Sequence, residues 1–317
     1  MIKLENTEVV GFKAAIRGMR NPMNSWDKSD SGFCETNGPG HCADCVYAKD
    51  CHGDEVDICT RYIIGPKDKE LMMKLRNAGT DHRKFMRMIV VYVDITAPLY
   101  WWKEFKTYRA GRKFGDDEPD IIDDGYLECD IETNSCSTMH KIHEKEFTLD
   151  DFSHEHLLGV INYYDGLEIP LTSCYIKPSI EYSPMGILES WIIPMLNKCR
   201  EMYLETKSSS YLEREKTLMV DVKELQEKQK LYWWQMIQLL PSSYNQKRTV
   251  MLNYEVLANI YKSRKNHKLD EWRDICKWIE NLPYSELITG VSLNDIPICN
   301  EIMEEAKRRV TNEEDQK

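Results

Sequence analysis

Apolar and polar positions alternate along this chain with two different periods. Thr7 to Phe12 reads as a short strand, and Lys13 to Met19 follows as a helix until Asn21-Pro22 stops it. Ile63 to Gly65 is a brief strand. Asp68 to Asn77 is helical, with Leu71, Met72 and Leu75 on one side and Ala78-Gly79 as its stop. Thr80-Asp81 opens a further helix that carries His82 near its start. Residues 88 to 95, MIVVYVDI, fit either a buried strand or a helix interior, because a short apolar run has no deciding period. From Leu188 to roughly Gln229 the pattern is mostly helical, broken by Pro194 and by Ser208-Ser209-Ser210.

The segment from Leu239 to Trp272 has a different character. It reads as an apolar strand end closed by Pro241, then Arg248-Thr249 leading into a helix with Leu252, Val256, Leu257 and Ile260 at helical spacing. Asn253, Asn259 and Arg264 stand among these apolar residues. Polar groups in an apolar stripe are unfavourable unless something bonds them. Asn253 and Arg264 are eleven residues apart, close to three turns, which places them on one face about 16 Å apart along the axis. That is a spacing suited to a nucleotide, whereas an ordinary amphipathic helix with a solvated arginine would explain the composition equally well.

Composition narrows the class. The chain has 317 residues, 42% hydrophobic and 30% charged, which is the profile of a globular protein with a substantial core. No run approaches the roughly 20 apolar residues of a membrane span, and MIKLENTEVVGF lacks the basic and apolar regions of a secretory signal, so a cytoplasmic location is expected. A net charge of −11 argues against non-specific nucleic-acid binding. It leaves room for a small phosphorylated ligand, for which one or two arginines suffice.

Eleven cysteines without an export signal point away from a disulfide framework. Five of them, Cys34, Cys42, Cys45, Cys51 and Cys59, cluster with His41 and His52 in a stretch from about 29 to 60 that is too polar to fold by burial. Cys42-x-x-Cys45 has the knuckle spacing of a zinc site, so a structural metal is expected, with an iron–sulfur cluster as a minor alternative. Residues 110–133 are acidic and 160–190 rich in proline and glycine; both read as insertions. His140-x-x-His143 and His154-x-His156 read as structural or surface groups, with Asp150, Asp151 and Ser153 marking a helix start. Trp101-Trp102 and Trp233-Trp234 fit core or interface better than a stacking platform.

Set side by side, these pieces resemble the flavin-dependent thymidylate synthases, the ThyX family. In that family a Leu-Pro is followed, twelve residues after the proline, by an asparagine, then by a second asparagine and an arginine; here these positions are Pro241, Asn253, Asn259 and Arg264. His267 with Glu271-Trp272 echoes the family's closing His and Trp-Glu. Ala78-Gly79-Thr80-Asp81-His82 with Phe85 is similar to the family's flavin-facing histidine segment, and Ala14-Ala15-Ile16-Arg17 to its opening helix. Tyr100–Tyr108, joined past the insertion to Ser135–His140, resembles the signature RHRxxSxxxxSxR.

The resemblance implies an α+β, ThyX-like fold with a mixed sheet flanked by helices, carried as a single domain over 1–317 with the Cys-rich and other insertions. It implies FAD as cofactor, with His82, Lys103, Asn253 and Asn259 at the flavin. Arg264 would meet the pyrimidine of dUMP, and Ser137 occupies the place of a serine once suspected as nucleophile. It also implies a homotetramer, with NADPH and a methylene folate as co-substrates. The departures lie in the charges. Lys103-Glu104-Phe105 stands for Arg-His-Arg, Met139 for the closing arginine, and Ile237 for the arginine four residues before the proline. Lysine cannot reproduce the arginine fork on a phosphate, and methionine or isoleucine cannot contact an anion. Lys106, Arg109 and Arg248 are nearby candidates to replace them. A nucleotide- or protein-binding module that has lost the reaction, and a zinc enzyme built on the histidine pairs, remain as alternatives.

Overall fold

The computed structural model describes residues 2–33, 62–105, 131–137, 141–159, 183–217 and 221–290. Cys34, Cys42, Cys45, Cys51 and Cys59 lie outside the described residues, as do Met139, His140, most of 110–133 and 160–182. The strands are β1 (Lys3–Val10), β2 (Gly32–Phe33), β3 (Tyr62–Ile63), β4 (Val90–Pro98), β5 (Glu132–Ser135) and β6 (Asn245–Asn253). The helices are α1 (Phe12–Arg20), α2 (Pro66–Asn77), α3 (Leu99–Phe105), α4 (Pro184–Ile187), α5 (Ile193–Glu205), α6 (Ser209–Thr217), α7 (Val222–Leu239), α8 (Tyr254–Arg264), α9 (Asp270–Glu280) and α10 (Glu286–Thr289). The architecture is therefore α+β. One sheet has the order β1-β4-β6-β5, and β2 pairs antiparallel with β3, Gly32 opposite Ile63.

The chain divides into two compact units, the first comprising Met1–Lys3, Ile95–Phe105 and Asn134–Arg248, the second the remainder. The division falls within β1, β4, β5 and β6, which contribute residues to both.

In the first unit, Ile142, Phe147, Phe152, Leu188, Leu196, Cys199 and Met236 form the core, with Ile237 and Tyr244 packed against it. α5 lies along α7. The helical chain already begins at Pro184, inside the stretch expected as an insertion, capped by the Ser183 hydroxyl on the Gly186 N–H at 2.9 Å. A π turn over Leu188–Ile192 leads into α5, whose first turn takes Pro194, a residue with no N–H to offer. The proline therefore starts α5 rather than breaking a helix. Asp150 and Asp151 do open a short turn, closed by a capping box between Thr148 and Asp151. Leu239 ends helix α7 and is not a strand end as expected from its apolar run.

In the second unit α1 packs on the 3₁₀ turn Arg83–Met88 and on α2, and α8 packs on that same turn, on α9 and on α10. Gly11 enters α1 at φ 103°, and a side chain there would strike the Met88 carbonyl, so only glycine fits. The run expected as strand or helix interior is strand β4, with Val91, Val93, Ile95 and Ala97 buried in alternation. β6 alternates likewise, burying Gln246, Arg248, Val250 and Leu252. Residues 245–252 are thus extended where the helical expectation had its lead-in.

Candidate functional site

The structure ends β6 at Asn253 and starts α8 at Tyr254, so Asn253 does not sit on a helix face. It is the N-cap: its Oδ1 accepts the Val256 N–H at 3.0 Å. This explains why a buried asparagine is tolerated beside Leu252 and Tyr254. Its Nδ2 makes no hydrogen bond among the described residues, so both of its N–H donors remain.

One turn on, Glu255 is fully buried in the first turn of α8, where a carboxylate also meets the positive end of the helix. It is clasped by two arginines from the turn after His82. Arg83 Nε reaches Glu255 Oε1 at 3.1 Å, and Arg87 Nε pairs with Oε2. Arg83 Nη2 goes on to Asn259 Oδ1 at 3.3 Å. These contacts join the segment at His82 to the helix holding Asn253, Asn259 and Arg264. Arg83, Arg87 and Glu255 were not among the residues expected from sequence. No local pattern marked them, since their role lies in a pairing with a helix far along the chain.

His82 is exposed and precedes the turn. Arg264, half-buried at the end of α8, lays its guanidinium over the Trp272 ring, 4.8 Å from the centroid. Trp272 is fully buried, and His267 Nδ1 accepts the Leu269 N–H at 3.2 Å in the connection between α8 and α9. Arg264 is thereby anchored through its ring contact with part of its surface open. Tyr261, on the same helix, donates to Glu280 at 2.7 Å; burial, then the bond to Glu280, pushes its phenol up to about 12.

Lys103 and Ser137 belong to the first unit. Lys103 is exposed on α3, between buried Trp102 and Phe105, and Ser137 is exposed beside Cys136. The Trp101-Trp102 pair is core, as expected, and Trp102 Nε1 donates to Ala97 O and Gln246 O. Arg248, unlike Lys103, is only 8% exposed: its Nε and Nη2 donate to Gln246 Oε1 at 3.0 and 2.7 Å, and its guanidinium lies 4.2 Å over Trp102. Gln246 Nε2 in turn donates to Cys136 O at 2.7 Å. Burial pushes the Arg248 pKa down. Its partners are all neutral, so its charge is uncompensated among the described residues.

His143 packs on Tyr203, centroids 4.7 Å apart, and His154 Nδ1 bonds the Phe152 carbonyl at 2.8 Å. Burial, then Lys207, holds the His143 pKa down. No group of three or more metal-ligating side chains occurs among the described residues. No helix among them is long and apolar enough to cross a membrane.

No family model matches the chain, and no curated protein matches it. Among solved structures it is similar to thymidylate synthase X (ThyX) of Helicobacter pylori with FAD and dUMP. The TM-score is 0.47 at 14% identity, over 94% of this chain and 99% of that one. A second structure of the flavin-dependent thymidylate synthase from the same organism, also complexed with FAD and dUMP, gives a TM-score of 0.46 at 14% identity. It covers 91% of this chain and 98% of that one.

Proposed function

We propose that this protein is an FAD-dependent, thymidylate synthase-like enzyme acting on a pyrimidine deoxynucleotide, dUMP or a relative of it. The observation that carries the reading is the junction of Arg83 with Glu255 and Asn259. It brings the segment at His82 against the helix of Asn253, Asn259 and Arg264, two stretches that resemble flavin-site motifs and lie far apart in sequence. Bound FAD would supply the hydride and relay the one-carbon unit, with NADPH and a methylene folate as its sources.

The chain's own part is to hold and polarise. The residues fit a flavin at the level of their donors: Asn253 Nδ2 is uncommitted among the described residues, and Asn259 is oriented by Arg83. Arg264 would polarise the pyrimidine, its guanidinium steadied on Trp272. His82 and Lys103 would stand at the flavin, and Ser137 at the nucleotide. Arg248 is the cation best placed by chemistry to stand in for the missing arginines, being charged and without a counter-ion among the described residues. In this reading the two units are parts of one domain with insertions, assembled as a homotetramer. Cys34, Cys42, Cys45, Cys51 and Cys59 would hold a structural zinc; unchanged zinc content in a Cys42→Ser, Cys45→Ser variant would refute that assignment.

The reading is tested by incubating the protein with FAD, NADPH, methylene tetrahydrofolate and dUMP and assaying for dTMP. Formation that is lost in Arg264→Ala supports it; no product with dUMP or related pyrimidine nucleotides refutes the reaction. A second reading, a binding module without turnover, is favoured by Ile237, which packs on an apolar core where the family keeps an arginine. Nucleotide binding without product formation would select it.

A further inference from the structure

A cavity of about 950 Å³ opens in the second unit between the end of β1, the start of α1, Tyr62 and the end of α9. This is the size of a small-molecule site. Among the described residues its wall includes Lys13 and Arg17 and no carboxylate. The two cations are four residues apart on α1, a like-charge pair that repels in an isolated helix. Neither has an ion-pair partner among the described residues; Lys13 Nζ lies over the Phe33 ring at 5.1 Å. In a chain of net charge −11 this is a local reversal of sign, and anions are what such a wall attracts.

Two further features define the ligand. α1 starts at this wall with no side-chain cap and no acidic residue in its first turn, so its positive end adds to the two side chains. The wall also carries an aromatic ring held in place, with the Trp278 Nε1 donating to Thr7 Oγ1 at 3.1 Å. Tyr62 stays a neutral phenol, since burial and then the charge of Asp68 push its pKa up. A fixed indole lining the same cavity as two cations that lack an ion-pair partner among the described residues suits a planar ring linked to an anion.

We propose that this cavity binds a nucleoside monophosphate, with the phosphate at Lys13 and Arg17 and the base against Trp278. None of His82, Asn253, Asn259 or Arg264 lines it, so the proposal stands whether or not the flavin reading does. The test is calorimetric titration of the whole chain with UMP and AMP, with uridine, adenosine and inorganic phosphate as separate arms.

Saturable nucleotide binding is expected, weakened by salt, with the nucleosides and phosphate each at least about tenfold weaker. Lys13→Ala and Arg17→Ala, both at exposed positions, should each weaken it about tenfold while leaving the melting curve in place. Trp278→Phe should remove most of the nucleotide-induced fluorescence change, and Arg264→Ala should leave the affinity for AMP unaltered. No saturable binding of either nucleotide overturns the proposal. So does AMP affinity that survives the Lys13→Ala, Arg17→Ala double variant, phosphate binding as tightly as AMP, or loss of AMP binding in Arg264→Ala alone.

Discussion

Asp68 and Glu255 are both fully buried carboxylates of the second unit, and both are paired with arginine, yet their surroundings differ. Asp68 is closed on every side. It accepts from Arg20 Nε, Ser29 Oγ and Ser31 Oγ at 2.6 Å each and from the Asp30 N–H at 3.2 Å. Arg20 is itself buried, and spends its remaining donors on Ser25 O and Lys28 O. Glu255 is clasped by arginines that are 18% and 39% exposed, one of which reaches on to Asn259. A saturated, sealed network fixes where the chain goes. A half-open one leaves part of its arginine side chains exposed beside a helix start, where a ligand can meet them. The difference separates a structural lock from a candidate binding wall.

Breaking the lock should have the largest effect. Asp68→Ala leaves the Arg20 guanidinium buried and unpaired, and a loss of about 3–5 kcal/mol is expected in denaturant unfolding. The pH dependence sharpens this. Burial pushes the Asp68 carboxyl up, but the bonds from Ser29, Ser31 and Arg20 and the charge of Arg20 outweigh it and hold it below the ordinary range. A folded pKa below the unfolded one means the stabilisation is full above the unfolded value, about 3.9, and is lost as pH falls through the depressed folded value. Asp68→Asn should therefore flatten the acid limb of stability against pH; an unchanged limb would place that proton elsewhere.

At the half-open network the effect should be smaller, because Arg83 and Arg87 can turn to water. Glu255→Ala is expected to lower stability by about 2 kcal/mol in the same assay. It should also weaken FAD binding by freeing Arg83 from its post beside Asn259. A loss as large as at Asp68 would erase the distinction between the two sites. The smallest effect belongs to the cap: Asn253→Ala should lose about 1 kcal/mol and Asn253→Asp almost none, since aspartate caps as well. Equal losses in the two variants would show that Oδ1 is not what Asn253 contributes to stability.

The sequence made some of this legible and hid the rest for identifiable reasons. α1, α2 and the turn after His82 follow from apolar spacing and from the Asn21-Pro22 and Ala78-Gly79 stops. β6 was obscured because its buried face carries Gln246 and Arg248, which interrupt an otherwise regular alternation. That misread drew Asn253 into a helix it only caps. Leu239 read as strand because an apolar run ending in proline has no period of its own, and packing on the Met236 core decided for helix. Glu255 was invisible as a site residue because its role depends on Arg83 and Arg87, well over a hundred residues earlier, and no local pattern encodes that pairing.

The most direct measurement is the absorbance spectrum of the purified protein with and without added FAD, followed by titration with dUMP. A flavin spectrum retained through gel filtration and perturbed by dUMP is expected. In Arg264→Ala the flavin bands should persist and the dUMP perturbation should vanish. A colourless protein that cannot be reconstituted with FAD would contradict the flavin site.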